Sequence, residues 1–164
     1  MNSKIIVIEV QERYLDKELI DVPGFEFLLH AGISKETEML FSAHIAQGNS
    51  FIQQGNLKEA IKEFQEAVIL RPDYVSGYKR LGNIFQLAGR FDEATVAYRK
   101  VVMLDPYDPL AHYFLGFIFQ SQEKNQEALS EFQKFIELAP PADFQALIQQ
   151  ATSFILTLRQ KSKQ

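Results

Sequence analysis

The sequence repeats itself with a period of 34 residues between about residue 41 and residue 142. Four marker positions, two small, one aromatic and one proline, return in the same order in three copies. They are Gly48, Gly82 and Gly116; Ala60, Ala94 and Ala128; Phe64, Tyr98 and Phe132; and Pro72, Pro106 and Pro140. A fixed period of this length is typical of one repeated supersecondary unit, because each unit is too small to bury its apolar face alone. The chain is therefore predicted to stack three similar units.

Each recurring position has a physical role in a pair of packed helices. The glycine falls in the first helix and the alanine in the second, and both are small enough to let the helix axes approach closely. Glycine inside a helix costs about 1 kcal/mol relative to alanine, so close packing, predicted between Gly82 and Ala94, has to offset that cost. The prolines end the second helices, because proline lacks an N–H and clashes with the preceding turn. Gly55 and Gly89 are predicted to close first helices in a left-handed conformation, and Glu123 stands at that place in the third copy.

This pattern resembles the tetratricopeptide repeat family. The middle copy shows the resemblance as Tyr78-x-x-Leu81-Gly82-x-x-Phe85, then Ala94-x-x-x-Tyr98, then Pro106. The resemblance implies an all-α fold, a right-handed superhelical solenoid of three helix pairs over residues 34–142, with repeats at about 41–74, 75–108 and 109–142. The helix pairs are predicted at about 36–54 with 57–70, 75–88 with 91–104, and 109–122 with 125–138.

The two ends of the chain depart from the repeat. Residues 143–164 are predicted to form a capping helix with a basic tail, because one face is apolar and the other polar. Residues 1–33 are predicted to form a short strand-like N-terminal arm. In this arm Lys4–Val10 is rich in β-branched residues, and Phe25–Leu29 is a second apolar run. Two short strands make only a marginal hairpin, so the arm is expected to dock on the repeats, to pair with another chain or to stay mobile.

The composition is typical of a soluble, cytoplasmic protein. Of the 164 residues, 46% are hydrophobic, which is enough to bury a core. No apolar run reaches the roughly 18 residues that a transmembrane helix needs, so no membrane insertion is expected. The net charge of −4 and the lack of a basic stripe argue against a nucleic-acid partner. The sequence has no cysteine, which excludes a disulfide framework and a thiolate metal site.

Few residues support a catalytic or metal-binding interpretation, and no cofactor is expected. His44 and His112 occupy the same position in the first and third copies. A packing role is favoured there, because two repeat units separate them and they could not share a metal ion. Asp105 and Asp108 flank prolines, and they are predicted to cap helices rather than to act as a carboxylate pair. The chain is therefore predicted to be neither an enzyme nor a metalloprotein.

The remaining candidate site is the concave surface, which the first helix of each pair lines in the family that the sequence resembles. The resemblance implies that the second, fifth, ninth and twelfth residues of each repeat face inward. The candidate peptide-binding groove consists of Asn49, Lys79, Asn83, Gln86, Tyr113, Phe117 and Gln120. Amide side chains carry both donors and acceptors, so the amides of this groove are expected to pair with the backbone of an extended peptide. The middle of the groove is basic at Lys79 and Arg80, and its far end is aromatic.

The groove predicts a non-catalytic protein-interaction module, a scaffold, adaptor or assembly factor that holds an extended peptide or a helix of a partner protein. One subclass of the family binds acidic tails of heat-shock chaperones through a carboxylate clamp. That clamp is not expected here, because Ile45 stands where it requires Lys and Arg80 stands where it requires Asn. Two alternatives remain. The amides can be ordinary residues of a wet helix face, or the chain can be a structural subunit that self-associates through the exposed edge of its N-terminal arm.

Overall fold

A computed structural model describes the backbone of residues 25–161 and the side chains of residues 34–160. Seven α-helices make up the described backbone, and no strand occurs in it. In chain order the helices are α1 (Phe25–Gln53), α2 (Leu57–Leu70), α3 (Val75–Leu87), α4 (Phe91–Leu104), α5 (Pro109–Ser121), α6 (Asn125–Leu138) and α7 (Pro141–Lys161). The predicted all-α architecture of paired helices is confirmed.

The chain divides into two compact units, residues 1–43 and residues 44–164. One prediction for the first unit was wrong. The strand-like run Phe25–Leu29 lies inside α1, which begins at Phe25 and not near residue 36. A short apolar run cannot be assigned to helix or strand from periodicity alone, and this one continues directly into the first helix. The predicted strand Lys4–Val10, with the self-association expected of it, lies outside the described residues and stays a prediction.

The turns inside the three helix pairs have one common geometry. Gly55, Gly89 and Glu123 adopt positive φ angles of 76°, 70° and 60°, so the left-handed conformation predicted for the glycines is confirmed and extends to the glutamate. In each turn the next N–H donates a hydrogen bond to a carbonyl five residues earlier, as is typical of a helix C-terminus closed by a left-handed residue. These bonds join Asn56 to Phe51, Arg90 to Phe85 and Lys124 to Phe119 at 2.8, 2.8 and 2.9 Å.

The third turn gives a stability prediction. Glu123 carries a side chain in a conformation that costs an L-residue about 1–2 kcal/mol, whereas glycine adopts it without strain. We expect Glu123→Gly to leave the free energy of unfolding unchanged or to raise it by up to about 1 kcal/mol, since the greater freedom of glycine in the unfolded chain offsets part of the gain. Urea unfolding followed by circular dichroism measures this. The control is Gln133→Gly in the exposed middle of α6, which should destabilise by about 0.5 kcal/mol. A clear loss of stability in Glu123→Gly would contradict the turn geometry.

The core of each pair is built around one buried ring. A side-chain carbon added at Gly48 would lie 2.9 Å from the ring of Phe64, and one added at Gly82 would lie 2.7 Å from the ring of Tyr98. The third pair repeats the arrangement with Gly116 and Phe132. The atoms nearest to the missing side chain belong to this ring rather than to the alanine predicted as its neighbour. Each glycine therefore makes room for an aromatic ring that is fully buried.

The ends of the helices follow the prolines and one aspartate. The second helices end at Leu70, Leu104 and Leu138, two residues before each marker proline. Asp108 caps α5, since its carboxylate accepts a hydrogen bond of 3.2 Å from the N–H of Ala111, and Pro109 occupies the first helical position. The predicted N-cap is confirmed. At the C-terminal end, α7 packs against α6 with Ala151, Ile155 and Leu158 buried.

Candidate peptide-binding groove

The seven predicted groove residues lie on the first helices of the three pairs. Asn49 is on α1, three are on α3 and three are on α5. Because an α-helix has 3.6 residues per turn, Lys79, Asn83 and Gln86 share one face of α3. Asn83 is exposed, whereas Asn49 and Gln86 are half-buried. The accessible amides are thus on α1 and α3.

Lys79 is paired with a buried carboxylate. Its ammonium contacts Asp108, whose side chain is only 4% exposed, whereas that of Lys79 is 37% exposed. Asp108 therefore has two partners, the N–H of Ala111 and Lys79. The basic character predicted for the middle of the groove is largely neutralised by this pair. Sequence reasoning assigned Asp108 only as a cap of α5, and no local spacing shows that Lys79 on α3 reaches it.

The side-chain amide of Asn83 accepts a hydrogen bond from Tyr98 of the same repeat. The Tyr98 hydroxyl donates a hydrogen bond of 2.5 Å to Asn83 Oδ1. Burial of the phenol, and after it the charge of Asp108, raises the pKa of Tyr98 well above its ordinary value, so the hydroxyl remains a donor. The amide oxygen of Asn83 is thus used within the protein, and its NH₂ group is left to donate to a partner. The first repeat has Phe64 at the place of Tyr98, so Asn49 is not fixed in this way.

The predicted aromatic end of the groove packs against α7. Tyr113 is only 7% exposed, and its hydroxyl donates a hydrogen bond of 2.9 Å to Gln150 Oε1 on α7. The ring of Phe117 is half-buried and lies edge-on to Phe154 of α7, with 6.5 Å between the centroids. The structure therefore places Tyr113 in the contact between α5 and α7 and leaves part of Phe117 accessible. The sequence predicted only that one face of the capping helix is polar, and no spacing indicated that Gln150 on α7 bonds to Tyr113.

Gln120, the last predicted groove residue, lies near the end of α5. It is half-buried and lines a cavity of about 310 Å³ with Glu123, Asn125, Thr157 and Leu158. This cavity lies where the end of α5 meets the beginning of α6 and the end of α7. The structure therefore places Gln120 at the end of the third helix pair, beside α7.

Arg80 adds an exposed cation beside the groove face of α3. Its guanidinium carbon lies 5.6 Å from the centre of the Phe64 ring, a distance at which a cation is attracted to the face of an aromatic ring. Because Lys79 is paired with Asp108, Arg80 is the more available positive charge of the two. The accessible part of the groove is thus a polar strip of amides with one arginine at its margin.

His44 and His112 each pair with a glutamate of the same repeat. His44 Nδ1 lies 2.7 Å from Glu63 Oε2, and His112 Nδ1 lies 2.6 Å from Glu131 Oε2. Burial acts to raise the pKa of Glu131, but the hydrogen bond from His112 and the charge of Lys134 outweigh it and lower the pKa. Over the part of the chain that the structure describes, no three metal-ligating side chains are grouped together. No helix in that part is long and apolar enough to span a membrane.

Two family models match the chain. One, described as TPR repeat, matches residues 48–89 and 82–123, and the other, described as Tetratricopeptide repeat, matches residues 110–141. Together the matches run from residue 48 to residue 141, which is more than half of the 164 residues. No curated protein matches the chain at a significant level.

Several solved structures are similar to the chain. The type III secretion chaperone SycD of Yersinia enterocolitica, in complex with a peptide of the translocator YopD, has a TM-score of 0.67 and 22% identity over 78% of this chain and 95% of SycD. PcrH, in complex with the chaperone binding region of PopD, has a TM-score of 0.67 and 22% identity over 76% of this chain and 95% of PcrH. The TPR2B domain of yeast Sti1, in a complex with pHsp70, has a TM-score of 0.65 and 15% identity over 75% of this chain and 98% of that domain. At such identities the similarity shows the fold alone.

Proposed function

Because the chain belongs to the tetratricopeptide repeat family, we propose that it is a non-catalytic protein-interaction module that holds a peptide or a helix of a partner protein in its groove. The observation that carries the proposal is the strip of accessible amides on α1 and α3. Support also comes from SycD and PcrH, which share the fold and whose structures contain a segment of another protein.

The chemistry of the strip favours recognition of a peptide backbone. Asn83 offers its NH₂ group, since Tyr98 already occupies its oxygen, and Asn49 and Gln86 offer both donors and acceptors. Backbone carbonyls and N–H groups are present in every peptide, so such contacts give affinity with little dependence on sequence. Because Asp108 pairs with Lys79, a strongly acidic partner gains little from that lysine. Binding should therefore depend only weakly on salt concentration.

The predicted site residues have different roles in this proposal. Asn49, Asn83 and Gln86 contact the partner, and Lys79 supports the middle of the groove through Asp108. Phe117 is accessible enough to contact an apolar side chain of the partner. Tyr113 holds α7 against α5, and Gln120 belongs to the small cavity at the end of the third pair. The proposed contact surface is thus centred on α1 and α3.

The proposal is tested by removing amide donors without disturbing the core. Asn49→Leu removes an amide at similar size, and Asn83→Asp keeps the acceptor for the Tyr98 hydroxyl while it removes the NH₂ group. A photo-crosslinking amino acid at Gln86 identifies the bound segment, and titration calorimetry with that segment as a synthetic peptide gives its affinity. We expect the double variant to bind the peptide roughly tenfold more weakly, since each hydrogen bond contributes about 0.5–1.5 kcal/mol.

The control changes the outer face of the same repeats. Lys58→Glu with Lys62→Glu reverses two exposed charges on α2, and this variant should bind the peptide as the unmodified protein does. Lys79→Glu is a poor groove variant, because it would place a second carboxylate against buried Asp108. If the α2 variant no longer binds the peptide while the amide variant still binds it, the binding surface is the outer face and the proposal fails.

A further inference from the structure

The middle repeat differs from its neighbours at one pair of facing positions. In the first and third repeats a histidine on the first helix is hydrogen-bonded to a glutamate on the second, 19 residues later. The equivalent residues of the middle repeat are Tyr78 and Ala97. A methyl group thus stands where the other two repeats have a carboxylate side chain, and the space next to it is not filled.

That space is an apolar cavity on the side of α3 that faces away from the groove. Its volume is about 470 Å³, and its floor is formed by Tyr78, Leu81 and Phe85 of α3, with Ala97 of α4 beside them. These three α3 residues have helical spacing and share one face. At about 100° per residue, the centre of that face lies about 130° around the helix from the centre of the face of Lys79, Asn83 and Gln86. The cavity and the groove can therefore be occupied independently.

Exposed apolar side chains extend the cavity along the outer helices. Val96 at its rim is 70% exposed, and Met103, two turns further along α4, is 63% exposed. On α2, Gln65 lines the cavity, and Ile69, one turn beyond it, is 61% exposed. Single exposed apolar residues are normal on a protein surface. Val96 borders the cavity, whereas Ile69 and Met103 lie outside its lining. Met103 provides a second apolar contact about 10 Å from Val96 along α4.

Among the residues that the structure describes, two charges at the rim have no ionic partner that neutralises them. Asp92 accepts a hydrogen bond of 3.0 Å from the neutral amide of Gln122, which leaves its charge in place. The Lys100 ammonium lies 5.8 Å from the centre of the Tyr78 ring. Glu93, by contrast, is paired with Arg90. The rim therefore presents a negative charge at the beginning of α4 and a positive charge about two turns further along.

We propose that this cavity is a second docking surface and that its occupant is an amphipathic helix of a partner protein. One large apolar side chain of that helix fills the cavity over Tyr78 and Ala97, and another, two turns away, packs on Met103 and Ile69. A basic residue of the helix faces Asp92, and an acidic residue faces Lys100. Two apolar contacts two turns apart match the spacing of i and i+7 residues on one face of a helix.

The repeat itself supplies a variant that closes the cavity. Tyr78→His combined with Ala97→Glu installs the histidine–glutamate hydrogen bond that the first and third repeats already contain, so the helix pair should keep its fold. The probe is a phage-displayed library of random 16-residue peptides, selected on the unmodified protein and counter-selected on this double variant. We expect amphipathic sequences with large apolar residues at i, i+3 or i+4, and i+7. Their synthetic peptides should bind the double variant at least roughly tenfold more weakly.

Two further variants make the outcome decisive. The groove variant Asn49→Leu with Asn83→Asp is the control, and it should leave the affinity of the selected peptides unchanged. If the double variant Tyr78→His with Ala97→Glu does not fold, Ala97→Met replaces it, because methionine fills the cavity with an apolar group. The proposal is overturned if no peptide is enriched, if the enriched peptides lack the helical spacing, or if they bind the filled variants as tightly. The proposal is also overturned if light scattering shows that the unmodified protein is a dimer and that the variants with a filled cavity are monomers. The occupant would then be a second copy of this chain.

Discussion

Gly82→Leu is expected to destabilise the protein by about 3 kcal/mol or more. A side-chain carbon at this position would lie 2.7 Å from the Tyr98 ring, which is only 1% exposed. The ring cannot move aside easily, because it is stacked on Phe114 with 5.2 Å between centroids and its hydroxyl is bonded to Asn83. Overpacking of a well-packed core costs about 1–3 kcal/mol, occasionally more, and leucine adds four carbons. Urea unfolding followed by circular dichroism measures the change.

The contact itself is tested by a double-mutant cycle. Gly82→Ala places one methyl group against the ring, and Tyr98→Leu removes the ring. If the steric clash causes the loss of stability, the double variant should lose less free energy of unfolding than the two single variants lose in sum. The expected coupling is about 1 kcal/mol or more. Ser76→Leu on the exposed face of α3 is the control, and it should change stability by no more than about 0.5 kcal/mol. Additive costs in the cycle would refute the steric explanation.

Asp108→Ala is expected to lower the free energy of unfolding by about 2 kcal/mol. The substitution removes the N-cap of α5, a contribution of about 1 kcal/mol, and it removes the buried partner of Lys79. Loss of one partner from a fully buried ion pair costs about 3–5 kcal/mol. Here the lysine is more than a third exposed and can turn to water, so solvent screening reduces that part to about 1 kcal/mol.

The conservative variant separates the two roles of Asp108. Asp108→Asn keeps a good N-cap and removes the charge, so it should recover about half of the stability lost in Asp108→Ala. Both variants should also lower the pKa of Tyr98 toward its ordinary value, because the carboxylate charge is the second cause of its rise. Ultraviolet titration of the phenol measures this in Asp108→Asn. Equal stability of the Ala and Asn variants would mean that capping contributes nothing.

The features that sequence predicted well depend on short spacings. The left-handed turns, the proline-terminated helices and the Asp108 cap are each fixed by residues a few positions apart, so a 34-residue period was enough to locate them. The strand-like prediction for the second apolar run, Phe25–Leu29, failed for the complementary reason. Four apolar residues in a run of five are too few to show whether their period is that of a helix or a strand.

The candidate site was harder to predict, because its side chains are fixed by contacts between helices. The bonds of Lys79 to Asp108 and of Tyr113 to Gln150 join helices of different repeats or of the cap. The repeat period shows that these helices stack, but not which variable residues meet between them. The difference at Tyr78 and Ala97 was present in the sequence. Only the His–Glu contacts of the neighbouring repeats show what it means.

The bond between Tyr113 and Gln150 also determines where a further repeat could be inserted in this solenoid. Together with the contact of Phe117 and Phe154, it makes α7 complementary to α5 of the last repeat and not to a generic helix pair. A repeat added after residue 140 would separate Tyr113 from Gln150 and Phe117 from Phe154. A duplicated segment 75–108 placed before Pro109 would leave them together, and it would carry its own Lys79, Asn83, Tyr98 and Asp108. A further repeat therefore fits before the third helix pair, where the contacts of α5 with α7 are kept, and not between the third pair and α7.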